Sequence, residues 1–177
     1  MGLRVELGSG PSKPEGFIGV DIVDLPGVTD VVHDLEQFPW PFEDNSVEEI
    51  ICCHVFEHIE GKLRGKFMDE VWRILEMGGK ATFTTPAWNS ERSIQDFSHA
   101  FPAITGNSYA YFVRDWREQN KLTFGVYDLK CNFEVDVKAM ISDNYSELNR
   151  GKEEMHSFAK HHLNTFSDIV ATLIKIP

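Results

Sequence analysis

The sequence of 177 residues has only three cysteines: Cys52, Cys53 and Cys131. An odd count with an adjacent pair does not build a disulfide framework, and no CxxC spacing points to zinc. Buried, reduced thiols are the expectation. Positive charge is also scarce. Seventeen Lys and Arg stand against 28 Asp and Glu, for a formal net charge of −11. Because phosphate affinity comes from Lys and Arg, this balance argues against general binding of nucleic acid or anionic membrane. It tolerates a small cationic ligand well. No apolar run approaches the roughly 18 residues of a membrane span. The opening MGLRVEL lacks the zones of a secretory signal, and Glu6 stands where myristoylation needs Ser or Thr. A cytoplasmic location is expected. Internal repeats and low-complexity segments are lacking too.

What is present suits one α/β domain over residues 1–177, with 42% hydrophobic residues for its core. Strand-like runs cover Arg4–Leu7, Phe17–Ile22, Asp30–His33, Glu49–Cys53 and Lys80–Thr85. The stretch KLRGKFMDEVWRILEMGG places Leu63, Phe67, Val71, Ile74 and Leu75 at helical spacing, with Gly78–Gly79 as its stop. Ala87–Phe101 reads as a long loop. A helix capped by Asn107 or Ser108 is expected through Arg117, and one long strand or two in Leu122–Ile141. Ser142–His162 reads as loop or helix, and Ile169–Ile176 as a terminal strand. The expected fold is Rossmann-like: a mostly parallel sheet with an antiparallel C-terminal edge strand.

The first connection is too short. Ser9–Gly16 alone separate the first two strands, whereas a parallel crossover normally needs about a dozen residues and a helix. Glu6-Leu7-Gly8-Ser9-Gly10 keeps two glycines of a dinucleotide fingerprint, but Lys13 takes the third position and no helix N-terminus follows to hold a pyrophosphate. Asp21 ends the second strand, where a carboxylate can accept from both hydroxyls of a ribose. Alone, the loop reads equally as a turn and Asp21 as a surface acid. Together they favour an adenosyl ligand without phosphates, S-adenosylmethionine, whose ammonium or its waters suit Glu6. A nicotinamide-dependent oxidoreductase is disfavoured.

ELGSGPSKPEGFIGVDI, VVHDLEQFPWPFEDNSVEEI, CCHVFEHI and GGKATFTTP together resemble the successive motifs of class I S-adenosylmethionine-dependent methyltransferases. They resemble in particular a small subgroup with an abbreviated first helix. The resemblance covers roughly residues 3–100. It implies that Glu6, Leu7, Gly8, Ser9 and Gly10 wrap the methionine part of the cofactor. Asp21 would hold the ribose and Ile22 would pack on adenine. Asp34 and Leu35 would meet the adenine edge, and Cys53 and His54 would line the floor under the sulfonium.

Two clusters are candidates for chemistry. In HVFEHI, His54 and His58 are four apart and Glu57 lies between them; helical spacing would put them on one face. His58, with Glu57, is the candidate base. HVFEH is not HExxH, so no metal is expected. The second cluster, Gln95-Asp96-Phe97-Ser98-His99, resembles the subgroup's Asp-x-x-His loop, with Asp96 and His99 facing the acceptor. It departs from that pattern at Ala100-Phe101-Pro102, where relatives carry a basic residue, so an acceptor anion bound there in relatives is in doubt here. Tyr109, Tyr111, Phe112 and Trp116 read mainly as core.

The expected activity is methyl transfer to an oxygen or nitrogen of a small-molecule, saccharide or protein acceptor. CCHV replaces the Asp/Asn-Pro-Pro-Tyr segment of an amine-methylating DNA enzyme. The competing reading is a module that binds the cofactor or its demethylated product without catalysis and partners another enzyme.

Overall fold

The computed structural model describes residues 2–146, 148 and 151–177. Seven strands form one sheet: β1 (Leu3–Leu7), β2 (Ile18–Asp21), β3 (Val31–Val32), β4 (Val47–Cys53), β5 (Leu75–Pro86), β6 (Phe133–Ile141) and β7 (Phe166–Lys175). Their order is β3-β2-β1-β4-β5-β7-β6. The β1–β2, β2–β3, β1–β4 and β4–β5 pairs are parallel, while β7 runs antiparallel to both β5 and β6. The mostly parallel Rossmann-like sheet is thus as the sequence indicates. Its antiparallel strand is the C-terminal one, one place in from the edge, with β6 outermost.

Residues 8–17 join β1 to β2 without a helix. The loop lies directly on β2 because Gly19 carries no side chain. A Cβ there would sit 2.4 Å from the Val28 carbonyl oxygen, 3.0 Å from Ser9 Oγ and 3.1 Å from Lys13 Cδ. The Lys13 stem covers the sheet face and its ammonium pairs with Asp30. Loop packing therefore replaces the crossover helix.

Helix α1 (Arg64–Ile74) buries Phe67, Met68, Val71 and Ile74. They pack among Val5, Leu7, Ile50, Phe56 and Phe83 in the core. The helix stops four residues before Gly78–Gly79. The carbonyls of Arg73 and Ile74 accept from the Asn45 and Ser46 amides, and that of Leu75 accepts from Lys175 Nζ at 2.8 Å. With those acceptors taken, the chain enters β5 at Leu75, and the glycines lie where the β4–β5 register shifts.

The second half departs further from expectation. After the five-residue α2 (Glu91–Gln95), a 3₁₀ helix covers Gly106–Phe112. Its cap is Thr105, which forms a reciprocal box with Ser108. Helix α3 (Arg114–Gln119) follows. Of Leu122–Ile141, only Phe133–Ile141 is strand. Before it, Asp69 Oδ1 accepts from the amides of Lys130 and Cys131, and Arg117 donates to the carbonyls of Tyr111, Leu129 and Cys131. Side chains thus satisfy that backbone and no ladder is needed. Helix α4 (Lys152–Ala159) occupies the Ser142–His162 stretch, whose positions 147, 149 and 150 lie outside the described residues. Among the described residues, no helix is long and apolar enough to cross a membrane.

Candidate active site

The carboxyl ends of the parallel strands gather almost all the candidate residues at one edge of the sheet. This is the edge where open α/β sheets bind ligands. At its first end lies the glycine loop. Gly8 has φ of +70°, and a Cβ there would come within 2.2 Å of Val55 Cγ2, so only glycine fits. The Gly8 and Ser9 amides both donate to the Val20 carbonyl, at 2.7 and 3.1 Å. The Gly10 amide donates to Asp21 Oδ2 at 2.9 Å, and Asp21 Oδ1 accepts from the Val23 amide at 3.0 Å. Asp21 thus closes the loop against the end of β2, and each carboxylate oxygen keeps further lone-pair capacity.

Two polar atoms at this end are buried without a partner: Glu6 Oε2 and Ser9 Oγ. Burial pushes the Glu6 carboxyl above its ordinary range, and Lys13 partly offsets the shift. An orphaned acid at a glycine cradle fits the ammonium of an amino acid. A pyrophosphate does not fit: Lys13 is committed to Asp30, and no helix begins here.

Further along, Ile22 is exposed, leaving an apolar side chain beside Asp21. Asp34 Oδ1 accepts from the Glu36 amide at 2.9 Å in a local turn. The Leu35 side chain is buried in the core and its carbonyl accepts from Trp40 Nε1 at 3.1 Å. Leu35 offers a cleft ligand little beyond its amide.

The middle of the edge is acidic. Partial desolvation and the carboxylates of Glu57, Glu6 and Asp168 push the Cys53 thiol up, although Cys53 is exposed where the sequence suggests three buried thiols. These groups stand at the ends of β1, β4 and β7.

Residues 54–59 form turns, not a helix, so the expected face shared by His54 and His58 does not exist. His54 adopts φ of +54°. Its Nδ1 lies 3.1 Å from Glu57 Oε1, and its Nε2 lies 3.4 Å from an Arg92 guanidinium nitrogen and 3.8 Å from Asp168 Oδ1. His58 points elsewhere: Nδ1 is 3.1 Å from Ser98 Oγ, and its ring meets that of His99 at 4.7 Å between centroids. Ser98 donates to Asp96 Oδ1 at 2.6 Å. That bond and the Ser98 amide hold the Asp96 carboxyl below its usual value. His54, Glu57, His58, Pro86, Arg92, Gln95, Asp96 and His99 line a cleft of about 190 Å³.

A buried cation assembles this end. Arg64, 8% exposed, donates to the carbonyls of Glu57, Ile59, Ala100 and Pro102 at 2.6–3.2 Å. The Ala100 amide donates to the Glu57 carbonyl at 2.9 Å. The loop after β5 is thereby clamped onto the turn after β4. The sequence reading missed Arg64, Arg92 and Asp168. Ser98 alone left a trace, as the third residue of the Asp-x-x-His segment.

A mostly parallel seven-stranded sheet in this order is the Rossmann-like fold shared with solved S-adenosylmethionine-dependent methyltransferases. Residues 17–83 match the family described as methyltransferase domain. Among solved structures, the chain is similar to a SAM-dependent methyltransferase from Archaeoglobus fulgidus, with TM-score 0.65 and 14% identity over 98% of this chain and 87% of that one. It is also similar to a structure from Haloferax volcanii described as the Trm112 methyltransferase activator with a methyltransferase, with TM-score 0.58 and 14% identity over 99% and 82%. The N-methyltransferase NodS from Bradyrhizobium japonicum WM9, in complex with S-adenosylhomocysteine, gives TM-score 0.58 and 9% identity over 99% and 79%. At these identities the likeness is one of fold. No curated protein matches the chain.

Proposed function

We propose that the protein transfers a methyl group from S-adenosylmethionine to an oxygen or nitrogen of a small-molecule, saccharide or protein acceptor. The observation that carries this reading is the cradle at the glycine loop: the Gly8–Gly10 turn, the orphaned buried Glu6 carboxylate and Asp21 closing β2. The bound cofactor supplies a methyl carbon already activated by its sulfonium. The chain does the rest. Glu6, Leu7, Gly8, Ser9 and Gly10 hold the amino-acid end. Asp21 accepts from the ribose hydroxyls, with Ile22 against the adenine and Asp34 at its edge. Cys53 and His54 line the floor under the sulfonium, with the carboxylates of Glu6 and Glu57 nearby.

His58, Glu57, Asp96 and His99 then face the acceptor. Alignment of the acceptor is worth on the order of 7–11 kcal/mol. A base adds about 10²–10⁴-fold, and the His58–Ser98–Asp96 chain holds an imidazole in place for it. The titration of the acceptor decides how much of that gain is used.

Incubation with methyl-labelled S-adenosylmethionine and an acceptor library tests the reading. Label transfer that Asp21→Ala abolishes supports it. Cofactor binding with no transfer to any acceptor, or with any activating partner, supports the non-catalytic module instead.

A further inference from the structure

We propose that Glu57, His58 and His99 form a divalent-metal site at the acceptor end of the cleft. One carboxylate oxygen and one ring nitrogen from each histidine lie within 4.8 Å of one another. The surrounding hydrogen bonds decide where the protons are. Ser98 has a single hydroxyl proton and gives it to Asp96 Oδ1 at 2.6 Å. Toward His58 Nδ1, at 3.1 Å, Ser98 Oγ therefore accepts. The proton of neutral His58 sits on Nδ1 and its Nε2 presents a lone pair. His99 Nδ1 lies 3.2 Å from the Ser93 carbonyl oxygen, which can only accept. Neutral His99 likewise carries its proton on Nδ1, and its Nε2 lies 3.8 Å from Asp96 Oδ2. Glu57 is 5% exposed; His54 engages its Oε1, and its Oε2 is buried without a partner. One carboxylate oxygen and two imidazole nitrogens thus converge beside an unpartnered Glu57 Oε2. A buried carboxylate oxygen left in that state is costly. A cation among the three removes the cost.

Two imidazole nitrogens and one carboxylate oxygen are the donor set of open zinc and iron(II) sites, which leave positions for a further ligand. The outer shell has the matching form, with one ring nitrogen of each histidine fixed by a carbonyl or by a hydroxyl–carboxylate pair. Tetrahedral ligands at zinc distances stand about 3.3 Å apart, so the side chains need only close inward slightly. The Arg64 clamp already holds the two segments together.

The role of this metal rests on the methyl-transfer reading and makes His58 a ligand in place of a base. An open position would take an acceptor hydroxyl. That hydroxyl gives its proton to water, its oxygen lone pair forms the new bond to carbon, and the electron pair of the broken sulfur–methyl bond stays on sulfur. The site therefore favours oxygen acceptors.

The test uses the full chain without an affinity tag, stripped with chelator and titrated with Zn(II) by calorimetry and with Co(II) by visible absorption, in the absence of cofactor. The expected result is one metal per chain, with a Co(II) spectrum of low coordination number. His99→Ala and Glu57→Gln should each weaken binding by more than about 100-fold, beyond the roughly 10–100-fold loss of outer-shell changes. Ser98→Ala, which keeps all three ligands, should cost about 10-fold, and His161→Ala should change nothing. Circular dichroism confirms that each variant is folded. Absence of saturable binding, or binding that His99→Ala leaves intact, overturns the site. The same samples are titrated with S-adenosylhomocysteine. A chain that binds that product but takes up no metal overturns the metal site alone, whereas one that takes up metal but not that product overturns the cofactor reading alone.

Discussion

The glycine loop and the histidine cluster stand at the same edge of the sheet but are made in different ways. At the glycine end, backbone geometry does the shaping: a left-handed Gly8, amides turned onto Val20, and the carboxylate of Asp21, eleven residues on from Gly10, that ties the loop down. The turn and the carboxylate that closes it come from residues 6–21. At the histidine end the shape comes from side chains of two separate segments, the turn after β4 and the loop after β5, clamped together by a guanidinium on α1. The first end is a local motif. The second exists only after the chain has folded.

That contrast can be attacked from either side. The largest effect is expected at the histidine end. Arg64→Ala removes a buried donor from four carbonyls and should destabilise the fold by more than about 3 kcal/mol, since bonds to charged groups are worth about 1.5–3 kcal/mol each and unsatisfied carbonyls add to the loss. Denaturant unfolding reads this directly; a loss below about 1 kcal/mol would mean that the two segments meet without the clamp.

Next comes Gly8→Ala. Left-handed backbone costs a non-glycine residue roughly 1–2 kcal/mol, and the clash with Val55 adds to it. Binding of S-adenosylhomocysteine should fall with stability. The double variant with Val55→Ala should recover the steric part and not the conformational part. Full recovery would show that backbone conformation matters little.

Asp21→Ala should weaken that binding by about 1.5–3 kcal/mol, measured by calorimetry on folded protein. An unchanged affinity would remove its ribose role.

A smaller effect separates the two ends by pH. Glu6 has a folded pKa raised by burial. In the free protein its contribution to stability is therefore full below its unfolded value and is lost as pH rises through the folded one. A cationic ammonium favours the ionised acid, so affinity for the product should move the opposite way and fall as pH drops through the same window. Glu6→Gln should flatten both trends. Parallel trends, or none, would place the ammonium elsewhere.

The smallest effect belongs to the exposed rim. Phe97 is fully exposed, and Phe97→Ser should change stability by less than about 0.5 kcal/mol while altering acceptor affinity if Phe97 borders that site.

The same division explains what could be read from the sequence. The strands through Thr85, the shortened crossover and the residues of the glycine end are contiguous and carry periodicity or turn chemistry. The sequence names Asp96, Ser98 and His99 together but cannot say that they meet His58, because that depends on Arg64 donating across 36 and 38 positions to Ala100 and Pro102. It misplaces His54 and His58 on one helical face because a 3.6-residue spacing says nothing about a left-handed residue that breaks it. It runs α1 on to Gly78–Gly79 because the groups that end it, Asn45, Ser46 and Lys175, are remote in the chain. Pattern reaches as far as local hydrogen bonding does, and these partners are long-range.

Calorimetric titration of the folded chain with S-adenosylhomocysteine, and in parallel with NAD, bears most directly on the cleft. Saturable one-to-one binding of the former, lost in Gly8→Ala and weakened in Asp21→Ala, with no heat from NAD, is the expected result. Binding of NAD, or of neither ligand, would contradict the assignment of the glycine end and leave the protein with the fold alone.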